Sequence, residues 1–198
     1  MHHEFLCAKR LWDNSRDCTE LVADLERLLD AGKLRDIKKI ICFGFGQFFI
    51  DESRESFSLG RWCLTNRRMA QHAAALTIAE VLNKRQGGEK VALLAQDPSY
   101  FKEDKSVLQM FGFRIVDPSH GVQEGFVEVD EHSLVMTFDF GDRVQQVVCE
   151  TARPAAMIWS APDEACECCV NNELHLSPTC DVLAAEYWEM QPSYLMDA

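Results

Sequence analysis

Three short stretches of this chain combine residue types that could do chemistry. Gly44-Phe45-Gly46-Gln47 ends an apolar run. Two glycines spaced by one residue let a backbone turn sharply and leave room for a ligand against the main chain. Asp97-Pro98 ends a second apolar run. An acid there can accept hydrogen bonds from the ribose hydroxyls of a nucleotide or adenosyl group, or it can start a turn and cap the next segment. Asp139-Phe140-Gly141 ends a third run. Its carboxylate could hold a substrate amine or accept a proton, or cap the helix that follows. The glycine pair is only part of the dinucleotide fingerprint: position 49 is Phe rather than glycine, and no helix follows at once.

Arg67 and Arg68 come next, read as opening a helix whose N-cap is Asn66. With the free amides of that helix start they could bind a phosphate or carboxylate, or they could pair with surface acids. Gln71 and His72, one turn further in, could point toward the glycine turn or into the core. Near the end, Cys166, Cys168, Cys169, His175 and Cys180 fall within fifteen residues. Their overall spacing, C-x-C-C-x5-H-x4-C, matches no common zinc knuckle, so they are expected to be tail thiols without a metal. No Ser-His-Asp order, H-E-x-x-H, G-x-S-x-G or phosphate-binding loop occurs.

The elements that must position these residues can be read from periodicity. Leu21, Leu25, Leu28 and Leu29 predict a helix over 19–31, started by Asp17 or Thr19 and ended by Gly32. Ile37–Phe43 predicts a buried strand, and 48–65 a long loop. A helix from Asn66 to about Asn83 carries Met69, Ala73, Leu76 and Leu82 on one side, and Gly87-Gly88 stop it. Val91–Ala95 is a strand, 102–111 a helix, Phe113–Val116 and Leu134–Phe138 strands, 142–150 a helix and Ala155–Trp159 a strand. Gly125–Val129 could form a hairpin.

Apolar strands alternating with helices imply an α/β fold: a doubly wound Rossmann-like sheet, mostly parallel, of about five strands with helices on both faces. Residues 1–36 are then a helical extension packing on the sheet, 37–160 the Rossmann-like domain, and 161–198 an acidic, cysteine-rich tail. Ligands in such sheets bind beyond the carboxyl ends of the strands. The candidate ligand-binding residues are therefore Gly44, Phe45, Gly46, Gln47, Gln71, Asp97, Pro98, Asp139 and Phe140.

Composition limits the partners. The 198 residues are 47% hydrophobic and 26% charged, which is ordinary globular usage. The net charge is −12, and residues 161–198 hold eight acids with no Lys or Arg. That balance argues against a nucleic-acid or anionic-membrane partner. The longest apolar runs have five residues against the roughly 20 of a membrane span, and charge throughout the first thirty residues leaves no secretory apolar core. A cytoplasmic or nuclear protein is expected, its nine cysteines read as thiols.

In order along the chain, Ile41-Cys42-Phe43-Gly44-Phe45-Gly46, Gln71-His72-Ala73-Ala74-Ala75-Leu76, Leu93-Leu94-Ala95-Gln96-Asp97-Pro98 and Leu108-Gln109-Met110-Phe111-Gly112-Phe113 together resemble the SRR-like domain, named for sensitivity to red light reduced. The resemblance covers roughly Lys38 to Trp159. It implies a Rossmann-like fold and a regulatory setting: light and clock signalling in plants, haem-biosynthesis regulation or stress responses elsewhere, with no settled catalytic reaction. Relatives often carry a Met-Pro-His-Cys-like segment where this chain has Phe138-Asp139-Phe140-Gly141. The expectation is a regulatory protein that binds protein partners and a small ligand at the sheet edge. The alternative is an enzyme dependent on S-adenosylmethionine or a nucleotide, acting on a small molecule.

Overall fold

The computed structural model describes residues 2–34, 36–48, 59–116, 124–138 and 142–159, of which 59–66, 142 and 143 are described by their backbone alone. Five strands form one sheet: β1 (Lys39–Phe43), β2 (Ala92–Gln96), β3 (Phe113–Val116), β4 (Ser133–Thr137) and β5 (Ala156–Trp159). Their order is β3-β2-β1-β4-β5 and every neighbouring pair is parallel. β1 and β4 are buried along almost their whole length. That is why they read as continuous β-branched and apolar runs rather than alternating ones.

Parallel neighbours cannot be joined by tight turns, so helices carry the chain back across the sheet. α3 (Leu59–Gln86) and α4 (Lys102–Met110) lie on one face, packed with Ile40, Cys42, Leu93, Ala95, Leu134 and Met136. The opposite side chains of the same strands, among them Ile41, Phe43, Leu94 and Val135, pack with α5 (Glu124–Val127) and α6 (Asp142–Thr151). This alternation is the two-residue period of a strand covered on both faces.

Two further helices, α1 (His2–Asp13) and α2 (Arg16–Asp30), pack on α3. Trp12 donates its indole N–H to Thr77 Oγ1 at 3.0 Å inside that contact. The two helices meet at Ser15. Its hydroxyl accepts the Cys18 amide at 3.0 Å and donates to the Trp12 carbonyl at 2.7 Å, capping α2. Arg85 of α3 pairs with Glu26 and Asp30 of α2.

The structure corrects four sequence expectations. α2 begins at Arg16 behind Ser15, not at Asp17 or Thr19, because Ser15 supplies the cap. α3 begins at Leu59, so 59–65 are helix rather than loop and Asn66 is not its N-cap. Once a helix is nucleated, extending it over residues that contain no proline adds a hydrogen bond at each step. Arg67 and Arg68 therefore lie in the interior of α3, away from its free amides. Finally, 124–127 are one helical turn rather than half of a hairpin. Gly125 lets this turn sit against the sheet: a Cβ there would come within 2.9 Å of the Phe43 ring and 2.5 Å of Gln96 Oε1.

Candidate functional site

In this strand order β1 has β2 on one side and β4 on the other. β1 is followed in the chain by α3 on one face and β4 by α6 on the other, so the carboxyl ends of these two strands mark the switch point of the sheet. The glycine turn that follows β1 lies at this switch point.

Gly46 has φ +77°, a conformation that side chains disfavour. Its amide donates to Asp97 Oδ2 at 2.6 Å. The next amide, of Gln47, donates to Ser99 Oγ at 3.1 Å. Ser99 in turn donates its own amide (2.7 Å) and hydroxyl (2.5 Å) to Asp97 Oδ1. The carboxylate, only 5% exposed, thus ties the turn after β1 to the turn after β2. Hydrogen bonds to an ionised acceptor are the stronger kind, so the turn is held firmly. The amides of Gly46 and Gln47 are consumed inside the fold. They do not form the outward cradle that phosphates meet in dinucleotide sites.

Arg68 closes the turn from above. Its Nη1 donates to the Gln47 carbonyl at 2.8 Å, and its side chain lies against Gly46 so closely that a Cβ there would be 2.8 Å from Arg68 Cδ. Glycine at 46 is favoured by its backbone angle, and a Cβ there would also have to displace the end of the Arg68 side chain. Arg68 is half-buried, and among the described residues no carboxylate pairs with it.

One turn further along α3, His72 is fully buried. Its Nδ1 lies 2.7 Å from the Arg68 carbonyl, which can only accept, so Nδ1 carries the proton. Nε2 accepts the Tyr100 hydroxyl at 2.8 Å. The rings of Phe45, Phe48 and Phe113 meet the imidazole edge to face. Burial lowers the His72 pKa to about 4, against the opposing pull of the Arg68 carbonyl and the Asp97 charge. Burial likewise pushes the Tyr100 hydroxyl and the Cys42 thiol well above their ordinary values. All three are neutral packing and hydrogen-bonding groups near pH 7.

The last row of the sheet on its α5/α6 face runs Gln96, Phe43, Thr137, Trp159 across β2, β1, β4 and β5. Phe43 stacks on Phe126 of α5 with centroids 4.5 Å apart. Gln96 Oε1 accepts the Gly125 amide at 2.8 Å. Thr137 is 1% exposed, and among the described residues its hydroxyl has no hydrogen-bond partner.

The expected site residues divide accordingly. Gly44, Gly46, Gln47 and Asp97 come together at one edge, with Pro98 exposed beside them. Phe45 turns inward, 5.3 Å from the ring of Phe138. Gln71 is half-buried on α3. Asp139, Phe140 and the cysteine cluster of 166–180 lie outside the described residues. Sequence reasoning passed over the part played by Ser99 and Tyr100, and it gave Arg68 the wrong place in its helix. The signal for Thr137 was its hydroxyl at the end of an apolar strand. Among the described residues no group of His, Cys, Asp and Glu could hold a metal ion. None of their helices is long and apolar enough to cross a membrane.

Comparison with known proteins adds one finding. The family model described as the SRR1 domain matches residues 19–161, from within α2 to just past β5. Neither the curated proteins nor the solved structures yield a match.

Proposed function

The chain belongs to the SRR1 domain family, and from that premise we propose that it is a regulatory domain. On this reading it binds a small molecule that carries a carboxylate or phosphate at the carboxyl edge of its sheet and conveys occupancy to a protein partner. The observation that carries this reading is Arg68: a half-buried guanidinium beside a pinned glycine turn, at the switch point, with no carboxylate to neutralise it among the described residues. Burying an unpaired cation is costly, and a ligand carboxylate or phosphate would offset that cost. S-adenosylmethionine and nucleotides both combine such an anionic group with a planar base. Binding is favoured over catalysis because His72, Tyr100 and Asp97 spend their polar atoms on each other and on the turn. A cytoplasmic or nuclear setting fits Cys7, Cys18, Cys42 and Cys149, all free thiols.

Isothermal titration of the full chain with S-adenosylmethionine, NAD, ATP and GTP tests the reading. Saturable heat is expected with at least one of them, and Arg68→Met, confirmed folded by circular dichroism, is expected to lose about tenfold or more in affinity. No heat from any of the four in a folded sample would overturn it.

A further inference from the structure

Near the carboxyl edge, α3 carries three polar side chains whose hydrogen-bonding capacity the fold does not use up. Arg68 spends one guanidinium N–H on the Gln47 carbonyl, and its other N–H groups find no acceptor among the described residues. Arg67 is exposed and forms no ion pair among them. Gln71 is half-buried, and its amide has no hydrogen-bond partner among them. The chain holds 32 acids against 20 bases, so these arginines are not unpaired for want of carboxylates. Asp97 lies beneath the turn, but its oxygens are taken by Gly46 and Ser99 and it forms no ion pair with Arg68. It offsets part of the Arg68 charge without filling the donors.

Helix geometry brings the three side chains together. Gln71 follows Arg67 by four residues and Arg68 by three, the two spacings at which helix side chains are neighbours. Side chains on a helix lean toward its amino terminus, so Gln71 reaches back over the turn that carries both arginines. The next residue, His72, is fully buried, while Gln71 keeps access to solvent. Arg68 in turn lies against Gly46 at the switch point. Two guanidinium groups with an amide between them thus form one accessible cluster, joined to the glycine turn through Arg68.

We infer that Arg67 and Gln71 are ligand-contacting residues beside Arg68, and that the anionic group they take is a terminal phosphate rather than a carboxylate. A carboxylate offers a single charge and two coplanar oxygens, which the fork of one arginine fills. That would leave Arg67 and Gln71 idle. A terminal phosphate carries about −1.5 to −2 charge near pH 7 and three acceptor oxygens. It can engage both guanidinium groups and the Gln71 N–H donors at once. The inference rests on the function proposed above and narrows its ligand to a phosphorylated small molecule.

Titration calorimetry of the full chain tests it, with ATP, with inorganic pyrophosphate as the anion alone, and with S-adenosylmethionine as the carboxylate for comparison. Wild type is expected to bind ATP about tenfold or more tightly than S-adenosylmethionine, and pyrophosphate is expected to displace ATP. Arg67→Gln and Gln71→Met are each expected to weaken ATP by about threefold to tenfold. Gln71→Glu sets a carboxylate between the two arginines and is expected to weaken ATP more than either, by repulsion and by filling the donors in cis. All three positions lie outside the core, so unfolding midpoints should stay within about 2 °C of wild type, and lost affinity is then not lost fold. Unchanged ATP affinity in either Arg67→Gln or Gln71→Met would overturn the inference. Heat from ATP that pyrophosphate fails to displace would place the contact on the nucleoside and overturn it as well. Absence of heat with both ATP and pyrophosphate would also overturn it, and binding of S-adenosylmethionine or NAD that Arg68→Met abolishes would then leave the reading of Arg68 standing.

Discussion

At the scale of single residues, the glycine turn can be dissected by comparing Gly46 with Gly88. Both have positive φ, but a Cβ at Gly88 meets nothing within 4 Å while one at Gly46 runs into Arg68. Gly88→Ala should cost about 1 kcal/mol in urea unfolding, from the backbone angle alone. Gly46→Ala should cost about 2–4 kcal/mol, because the Arg68 side chain must also move. Equal costs would mean that the contact does not constrain the turn. His72 supplies a pH dependence. Its folded pKa is about 4 against 6.5 for the free group. Between those values the unfolded chain binds a proton that the folded chain excludes, so stability falls as pH drops through that window. The loss is about 2–3 kcal/mol by pH 4.5. Urea midpoints at pH 7 and 4.5 should therefore differ more in wild type than in His72→Gln. The measurement needs that difference of differences because Glu128 is also held below its usual range, by Arg114 and Lys39. Asp130 is lowered too: burial pushes it up, but its bonds from Lys39, Ser133 and His132 outweigh that. The sequence placed Gly46 and Asp97 at one edge, since both follow apolar runs. It was silent on their partners. No local pattern says that an acid 51 positions on will hold Gly46, or that Arg68 will cover it.

Elements were legible in proportion to how strongly burial marks them. The strands stood out because a central parallel strand is apolar on both faces. α1 did not stand out. Its buried side chains are Phe5, Ala8 and Trp12, separated by charged and exposed residues, so its apolar stripe is narrow. That stripe is nonetheless well packed: Phe5 is fully buried against the rings of Phe48 and Phe111. Phe5→Ala should cost about 3–4 kcal/mol in denaturant unfolding. A cost below about 1 kcal/mol would mean that α1 is a loose appendage rather than part of the core. α5 misled the reading because Gly125 looks like turn chemistry. Here glycine serves close approach instead, which depends on Gln96 and Phe43, residues far off in the chain. Gly125→Ala should lift α5 from the sheet, lower stability by about 1–3 kcal/mol and break the Gly125–Gln96 bond.

Over the whole molecule, the strand order decides which distant residues share an edge. β2, β1 and β4 are adjacent and parallel. Their carboxyl ends therefore assemble the glycine turn, the Asp97 anchor and Thr137 in one place. The amino-terminal edge holds a different kind of chemistry. There Lys39 pairs with Glu128 and Asp130, and the His132 ring lies 3.1 Å from the Asp36 carboxylate, a polar cluster with no orphaned group among its described members. This asymmetry between the two edges is the basis for assigning ligand binding to one of them. Hydrogen–deuterium exchange of the full chain with and without saturating ATP, and again with S-adenosylmethionine, tests it most directly. The account predicts slowed exchange in 43–48, 96–100 and 134–138 with at least one compound, and unchanged exchange around Lys38, Lys39 and His132. Slowing confined to the amino-terminal edge or to α1 and α2, or no change with either compound, would contradict it.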